Sequence, residues 1–271
     1  MPHVNANGFS MYYEQQGSGE PLILIPFLTA DNACYAFQIP EYAKQFTCIT
    51  LDLRGTGQSD KPAADYTTET LADDVAGLMS ALGVEKAHVS GFSLGAAVGL
   101  WLAAKQPDKV KSLSVHGGWD RTDLFQKTVI EHLQMTAKSL DRVPEMVITA
   151  LFPWCFTPEL YVGKPEFIQA VKDFVHSRPA QSVPQFMLQS NAVLSHDVAP
   201  VLGRITAPTQ LTVGAIDLIT STRYTNRLKP AIRQSELFVF ERCAHASLFE
   251  QSEEFNRRTL AFLQRQVGVH V

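Results

Sequence analysis

The 271-residue sequence is poor in cysteine, in excess charge of either sign and in long apolar runs. Its four cysteines, Cys34, Cys48, Cys155 and Cys243, form no CxxC pair. That spacing argues against a zinc or redox motif and for buried free thiols. The formal net charge is only -4 and no Lys/Arg cluster is present that could neutralise a run of phosphates, so nucleic acid is not an expected partner. The longest apolar runs, such as Leu22 to Leu28, fall far short of the roughly 20 residues that cross a bilayer, and no membrane partner is expected. The N-terminus has no basic segment followed by an apolar stretch, so it reads as mature protein with the cytoplasm as the expected location. Repeats of fixed period and low-complexity segments are also missing. No motif implies a metal or other cofactor. With 45% apolar and 18% charged residues, the remaining class is an ordinary soluble globular enzyme or binding domain of unknown oligomeric state.

What is present is a rhythm. Short apolar runs at Leu22 to Ile25, Thr47 to Leu51, His88 to Ser90 and Val110 to Val115 alternate with amphipathic stretches. Strands separated by helices imply a mostly parallel sheet. Between Thr67 and Val84, Leu71, Val75, Leu78, Met79 and Leu82 recur at helical spacing, and a further helix is expected over Ala96 to Lys105. From Asp120 to about Ser195 the alternation stops and helix formers and aromatics take over. The rhythm resumes with Thr209 to Val213, a helix from Thr222 to Leu228, the strand Glu236 to Phe240 and a closing helix from Glu253 to Gln264. The expected organisation is an α/β core of residues 1–119 and 197–271, interrupted by a helical cap of residues 120–196.

The chemistry concentrates in Gly91-Phe92-Ser93-Leu94-Gly95, a GxSxG string between a strand-like and a helix-like segment. A tight strand-to-helix turn strains the serine backbone, exposes its hydroxyl and needs small neighbours. The Leu94 N–H then lies at a helix N-terminus, where it can bind a developing oxyanion. A serine hydroxyl needs a base, and the base needs an orienting acid. Of the eight histidines, His245 follows the strand-like ELFVF and precedes the last helix, which makes it the candidate base. Asp217 follows the strand ending near Val213 and is the candidate acid, with Asp120 and Asp123 as rivals one strand earlier. His196 and Cys243 read as packing residues.

The ordered segments LILI, LDLRGTGQSD, SGFSLG, GAID and CAHASLFEQSEEFNRRTLAFL resemble the α/β-hydrolase superfamily over essentially the whole chain. The resemblance implies a second oxyanion donor in the turn after the sheet's third strand, usually beside a His-Gly pair. Here the stretch is Pro26-Phe27-Leu28-Thr29, without that pair, which leaves the donor between Leu28 and Phe27. Asp52 and Arg54, in the family's D-x-R-G-x-G-x-S turn, are expected to brace a loop. Relatives with Asp at the elbow, such as haloalkane dehalogenases and epoxide hydrolases, differ at Ser93.

The expected activity is hydrolysis of a small or medium carboxylic ester or lactone, in the manner of small esterases and enol-lactonases. Phe152, Trp154 and Phe156 are the candidate pocket residues. Carbon–carbon bond hydrolases of the same fold keep the same triad and add polar cap residues, for which Arg178 and Arg121 are candidates. A receptor that has kept the fold without turnover is the alternative from another class.

Overall fold

The computed structural model describes residues 2–268. Its strands are β1 (His3–Ala6), β2 (Phe9–Gln16), β3 (Glu20–Ile25), β4 (Phe46–Leu51), β5 (Ala87–Phe92), β6 (Val110–His116), β7 (Thr209–Gly214) and β8 (Ser235–Phe240). They form one sheet in the order β1-β2-β4-β3-β5-β6-β7-β8. The pairs β1/β2 and β2/β4 are antiparallel and the rest are parallel. The antiparallel strands β1 and β2 were not anticipated from the sequence, although Asn7-Gly8 carries the signal. Both residues have positive φ, 52° and 86°, as a two-residue hairpin turn between right-twisted strands requires.

Helices α1 (Thr68–Ala81) and α2 (Leu94–Lys105) follow β4 and β5. Thr67 caps α1 in a reciprocal box with Thr70, satisfying two N–H groups that the helix leaves open. Between β6 and β7 run α3 (Leu124–Leu140), α4 (Pro165–Ser177) and α5 (Val183–Leu194), joined by short helical turns. The two stems of this excursion meet at its base, where Arg121 and Asp197 form an antiparallel bridge and Val198 N–H donates to Asp120 O at 2.9 Å. The fold closes with α6 (Thr222–Ala231) and α7 (Ser252–Gln266).

Alternation along the strands builds two cores. Ile23 and Ile25 of β3 join Val89, Leu113 and the α1 and α2 side chains on one face. Leu22 and Leu24 face the other way, toward Tyr35, Tyr42, Phe255, Phe262 and Leu263. That second face also carries buried polar groups where a simple apolar strand was expected. His88 meets Ser112 Oγ at 2.7 Å, and His116 bridges Ser90 Oγ at 3.2 Å and Thr212 Oγ1 at 2.7 Å. Each ring nitrogen has a partner, which removes most of the cost of burying a polar group.

The glycine-rich loop of residues 52–60 is braced by charge. Asp52 accepts from Asn32 N–H and Gln58 N–H, both at 2.7 Å. Arg54 forks onto the fully buried Asp74 at 2.6 and 2.5 Å and lies over the rings of Phe9 and Tyr66. Burial raises the Asp74 carboxyl, and Arg54 works against that rise. Removing Arg54 strands a charge, so Arg54→Ala is expected to cost about 3–5 kcal/mol of stability in urea unfolding. Arg265→Ala, which breaks an exposed pair with Glu236, should cost less than about 1 kcal/mol in the same assay.

Candidate active site

Ser93 stands between β5 and α2 at φ 52°, ψ -114°, outside the usual range for a residue with a side chain. Its neighbours explain how the turn closes. A Cβ at Gly91 would meet Gly95 O at 2.1 Å, and one at Gly95 would meet Ile25 O at 2.1 Å. The Ser93 N–H donates to His116 O at 2.8 Å, which fastens the turn to β6. Ser93 is half-buried and lines a cavity beneath α3 and α4, and the first N–H of α2, that of Leu94, opens beside it.

His245 lies beyond β8 and Asp217 beyond β7, both at the carboxyl ends of parallel strands. His245 Nδ1–H donates to Asp217 Oδ2 at 2.8 Å. The second Asp217 oxygen accepts from the Ile219 and Thr220 backbone N–H groups at 2.8 and 2.9 Å, and the Thr220 hydroxyl also donates to the carboxylate. Burial pushes the Asp217 carboxyl up, but the adjacent imidazole and the Thr220 donors outweigh it and hold it below the ordinary range. Nδ1 being occupied, Nε2 is the ring nitrogen left for proton transfer. Gly214 permits this approach, because a Cβ there would meet Ala244 O at 2.1 Å.

The rivals are engaged elsewhere. Asp120 takes a forked contact from Arg227 at 2.6–3.1 Å, which holds its carboxyl low against the effect of burial. Asp123 caps α3 through Gln126 N–H and pairs with Arg223. His196 is buried between Thr68 Oγ1 and Trp119 O. Cys243 donates its thiol to Glu250 at 3.7 Å. Glu250 also accepts from Ala244 N–H at 3.0 Å and from the Thr157 hydroxyl. With Ala246 N–H donating to Cys155 O at 2.8 Å, the histidine loop is tied to the helices above it.

Phe27, Leu28, Leu94, Phe152, Phe156, Ser93 and His245 all line the cavity. The Phe27 N–H is directed at the Cys34 sulfur and the Thr29 N–H is held by Gln189 Oε1 at 3.0 Å, whereas the Leu28 N–H has no hydrogen-bond partner among the described residues. Trp154 is a correction: it is half-buried and does not line the cavity. At about 100° per residue in a helix, Phe152, Cys155 and Phe156 share one face of the Phe152–Cys155 turn and its cap, and Trp154 points away from it. Arg178 lines the cavity, paired with Asp31 at 2.8 Å, while Arg121 lies outside it beside Asp120. Sequence reasoning missed Gln126, Gln181 and Asp31, all of which line the cavity. The signal for Gln126 was a polar residue on the same helical stripe as Val129, Ile130 and Leu133.

An open, mostly parallel sheet with a strained serine at a strand-to-helix elbow defines a class of α/β proteins whose chemistry gathers at the carboxyl edge of the sheet. The profile of the α/β hydrolase fold matches residues 20–156. The 2-hydroxy-6-oxo-6-phenylhexa-2,4-dienoate hydrolase of Burkholderia cepacia is 30% identical, over 96% of this chain and 94% of its own. Among solved structures, the enol-lactonase of Burkholderia xenovorans LB400 has a TM-score of 0.87 at 25% identity, covering 97% of this chain and 100% of that one. An N-acyl homoserine lactone degrading enzyme has a TM-score of 0.81 at 26% identity, covering 96% and 100%. The chain belongs to the α/β-hydrolase fold family.

Burial holds the His116 imidazole down at about 3. The unfolded chain therefore binds a proton that the folded chain refuses between pH ~6.5 and ~3. Stability from this group is complete above the unfolded value and is lost as pH falls. His116→Gln removes the titration, so the stability advantage of wild type over this variant should shrink on acidification, at up to about 1.4 kcal/mol per pH unit. Urea unfolding of both proteins from pH 7 to pH 4 reads the difference; a constant gap would contradict the assignment.

Proposed function

We propose that this chain is a serine hydrolase that cleaves a small to medium carboxylic ester or lactone through an acyl-enzyme. The observation that carries the reading is the convergence of a strained Ser93 and an aspartate-held His245 on one apolar cavity. Ser93 is the proposed nucleophile, His245 the base and Asp217 the orienting acid. The helices of residues 120–196 act as a cap over a core of residues 1–119 and 197–271, and the paired stems at residues 120–122 and 196–198 support that division.

In this mechanism Ser93 Oγ attacks the substrate carbonyl while His245 Nε2 takes the hydroxyl proton. Asp217 keeps the other ring nitrogen protonated and stabilises the imidazolium that forms. The oxygen of the tetrahedral intermediate is received by the Leu94 N–H, aided by the N-terminus of α2, and by the N–H of Leu28 or Phe27. His245 then returns its proton to the leaving alkoxide, leaving Ser93 acylated. Water, deprotonated by the same imidazole, releases the acid and restores the serine. Phe152 and Phe156 supply apolar contact for the bound group.

The Burkholderia cepacia relative, named as a 2-hydroxy-6-oxo-6-phenylhexa-2,4-dienoate hydrolase, favours a second reading, carbon–carbon bond hydrolysis, in which the same groups act on a vinylogous keto acid. The Arg178–Asp31 pair weighs against it, because Asp31 already neutralises the cavity's cation.

A panel of p-nitrophenyl esters, lactones and keto acids separates the two readings. Ser93→Ala should retain its fold and lose at least ~10³-fold in turnover, together with fluorophosphonate labelling. Asp217→Asn should lose on the order of 10⁴-fold, while Asp120→Asn and Asp123→Asn stay within about tenfold of wild type. Near wild-type activity in Ser93→Ala would exclude the mechanism, and a crippled Asp120→Asn beside an active Asp217→Asn would move the acid.

A further inference from the structure

The turn that follows β3 is strained. Phe27 O accepts the Ala30 N–H at 3.1 Å, which closes a four-residue turn with Leu28 and Thr29 at its centre. Thr29 has φ 69° while Leu28 stays at negative φ, the combination that calls for glycine or asparagine at the third position of a type II turn. A β-branched residue there is an outlier, and such a conformation persists only where its surroundings over-determine it.

The hold comes from a distant helix. Gln189 of α5 is fully buried, and its Oε1 accepts the Thr29 N–H at 3.0 Å across 160 residues of sequence. Gln181 Nε2 donates to the same oxygen at 3.3 Å and to Gly55 O at 3.1 Å. These two donors fix which end of the Gln189 amide faces the turn, because the reversed amide would set N–H against N–H.

The tie matters because of where the turn lies. A Cβ at Gly95 would meet Ile25 O at 2.1 Å and Pro26 O at 2.9 Å, so the chain enters the turn pressed against the elbow that carries Ser93. Leu28, Thr29 and Ser93 line one cavity. With the Phe27 N–H directed at the Cys34 sulfur, the Thr29 N–H at Gln189 and the Ala30 N–H at Phe27 O, the Leu28 N–H is the donor of the turn left without a partner among the described residues.

We propose that Gln189 is a positioning residue for the oxyanion site. By holding Thr29 in its left-handed conformation it fixes the Leu28–Thr29 peptide, and with it the direction of the Leu28 N–H. The inference rests on the serine-hydrolase reading and assigns part of the oxyanion geometry to α5. Without Gln189 the peptide joining Leu28 to Thr29 turns over toward the type I arrangement, which has negative φ at both central residues, and the Leu28 backbone moves with it. An oxyanion donor acts on the charge that develops in the transition state, so its displacement lowers kcat and spares KM.

The test compares one substitution in two backgrounds, with p-nitrophenyl butyrate as substrate. Gln189→Leu keeps the side-chain volume and removes the acceptor. It should lower kcat by about tenfold to a hundredfold, with KM within about threefold of wild type. Glycine adopts positive φ without steric cost, so in the Thr29→Gly background the same Gln189→Leu change should cost less than about threefold in kcat. A glutamine that only packs α5 would cost the same in both backgrounds. Gln189→Met serves in both should the leucine variant not fold. Thr29→Pro, barred from positive φ and with no N–H to give Gln189, should lose kcat to the same extent as Gln189→Leu. An equal loss from the Gln189 change in both backgrounds, or an undiminished kcat in Thr29→Pro, overturns the inference and leaves the hydrolase reading intact. A wild-type protein that turns over no p-nitrophenyl ester overturns both.

Discussion

Ser93 sits in a backbone conformation worth roughly 1–3 kcal/mol of strain for a residue with a side chain, and such strain persists only where the surroundings over-determine it. Those surroundings are the centre of the molecule. β5 is buried along its whole length, α2 is buried nearly all round, and the Ser93 N–H is committed to His116 O. Gly91 and Gly95 leave gaps that carbonyl oxygens fill, so the turn cannot relax without pushing β3 and α2 apart. The rest of the core can be understood as the clamp around this turn. Parallel strands on both sides hold β5, and the two apolar layers hold the sheet.

Charge is handled in three ways, and each suits its place. Asp217 is kept ionised in a buried position by converging donors, which is what an imidazole orienter needs. Asp74 and Asp120 are neutralised by arginines and act as braces. His116 and His196 are kept neutral by burial and partnered through hydroxyls and carbonyls, so they add shape and hydrogen bonds to the interior without adding charge. His245 is distinguished from these by one feature, the direct contact of its Nδ1 with a carboxylate.

The cavity exists because the excursion between β6 and β7 is anchored at more than one point. Its stems pair at the base, Gln189 reaches down to the Thr29 N–H, and Cys155 and Thr157 are bonded to the loop that carries His245. Thr29 itself has φ 69°, so the turn beneath the helices is strained and held from above. Movement of the helices would therefore be felt at both the histidine loop and the turn bearing Phe27 and Leu28. The coupling is mechanical, through hydrogen bonds to backbone groups.

The elbow was legible in the sequence because its cause is local: two glycines flanking Ser93, a strand before it and a helix after it. The core strands and the interruption from Asp120 were legible for a similar reason, since alternation and helical spacing are properties of neighbouring residues. The β1/β2 hairpin carried a local signal too, in Asn7-Gly8, which went unread. Asp217, Asp120 and Asp123 look alike in one dimension, each an acid in a loop beyond a strand. Only the fold puts Arg227 on Asp120, Arg223 on Asp123 and His245 on Asp217. The placement of Trp154 was beyond reach for the same reason, whereas Gln126 left a local trace as a polar residue on an apolar helical stripe. Whether a side chain on a short helical turn faces a cavity, and whether a buried amide finds a partner there, depends on helices packed together from distant parts of the chain, and no local pattern encodes that placement.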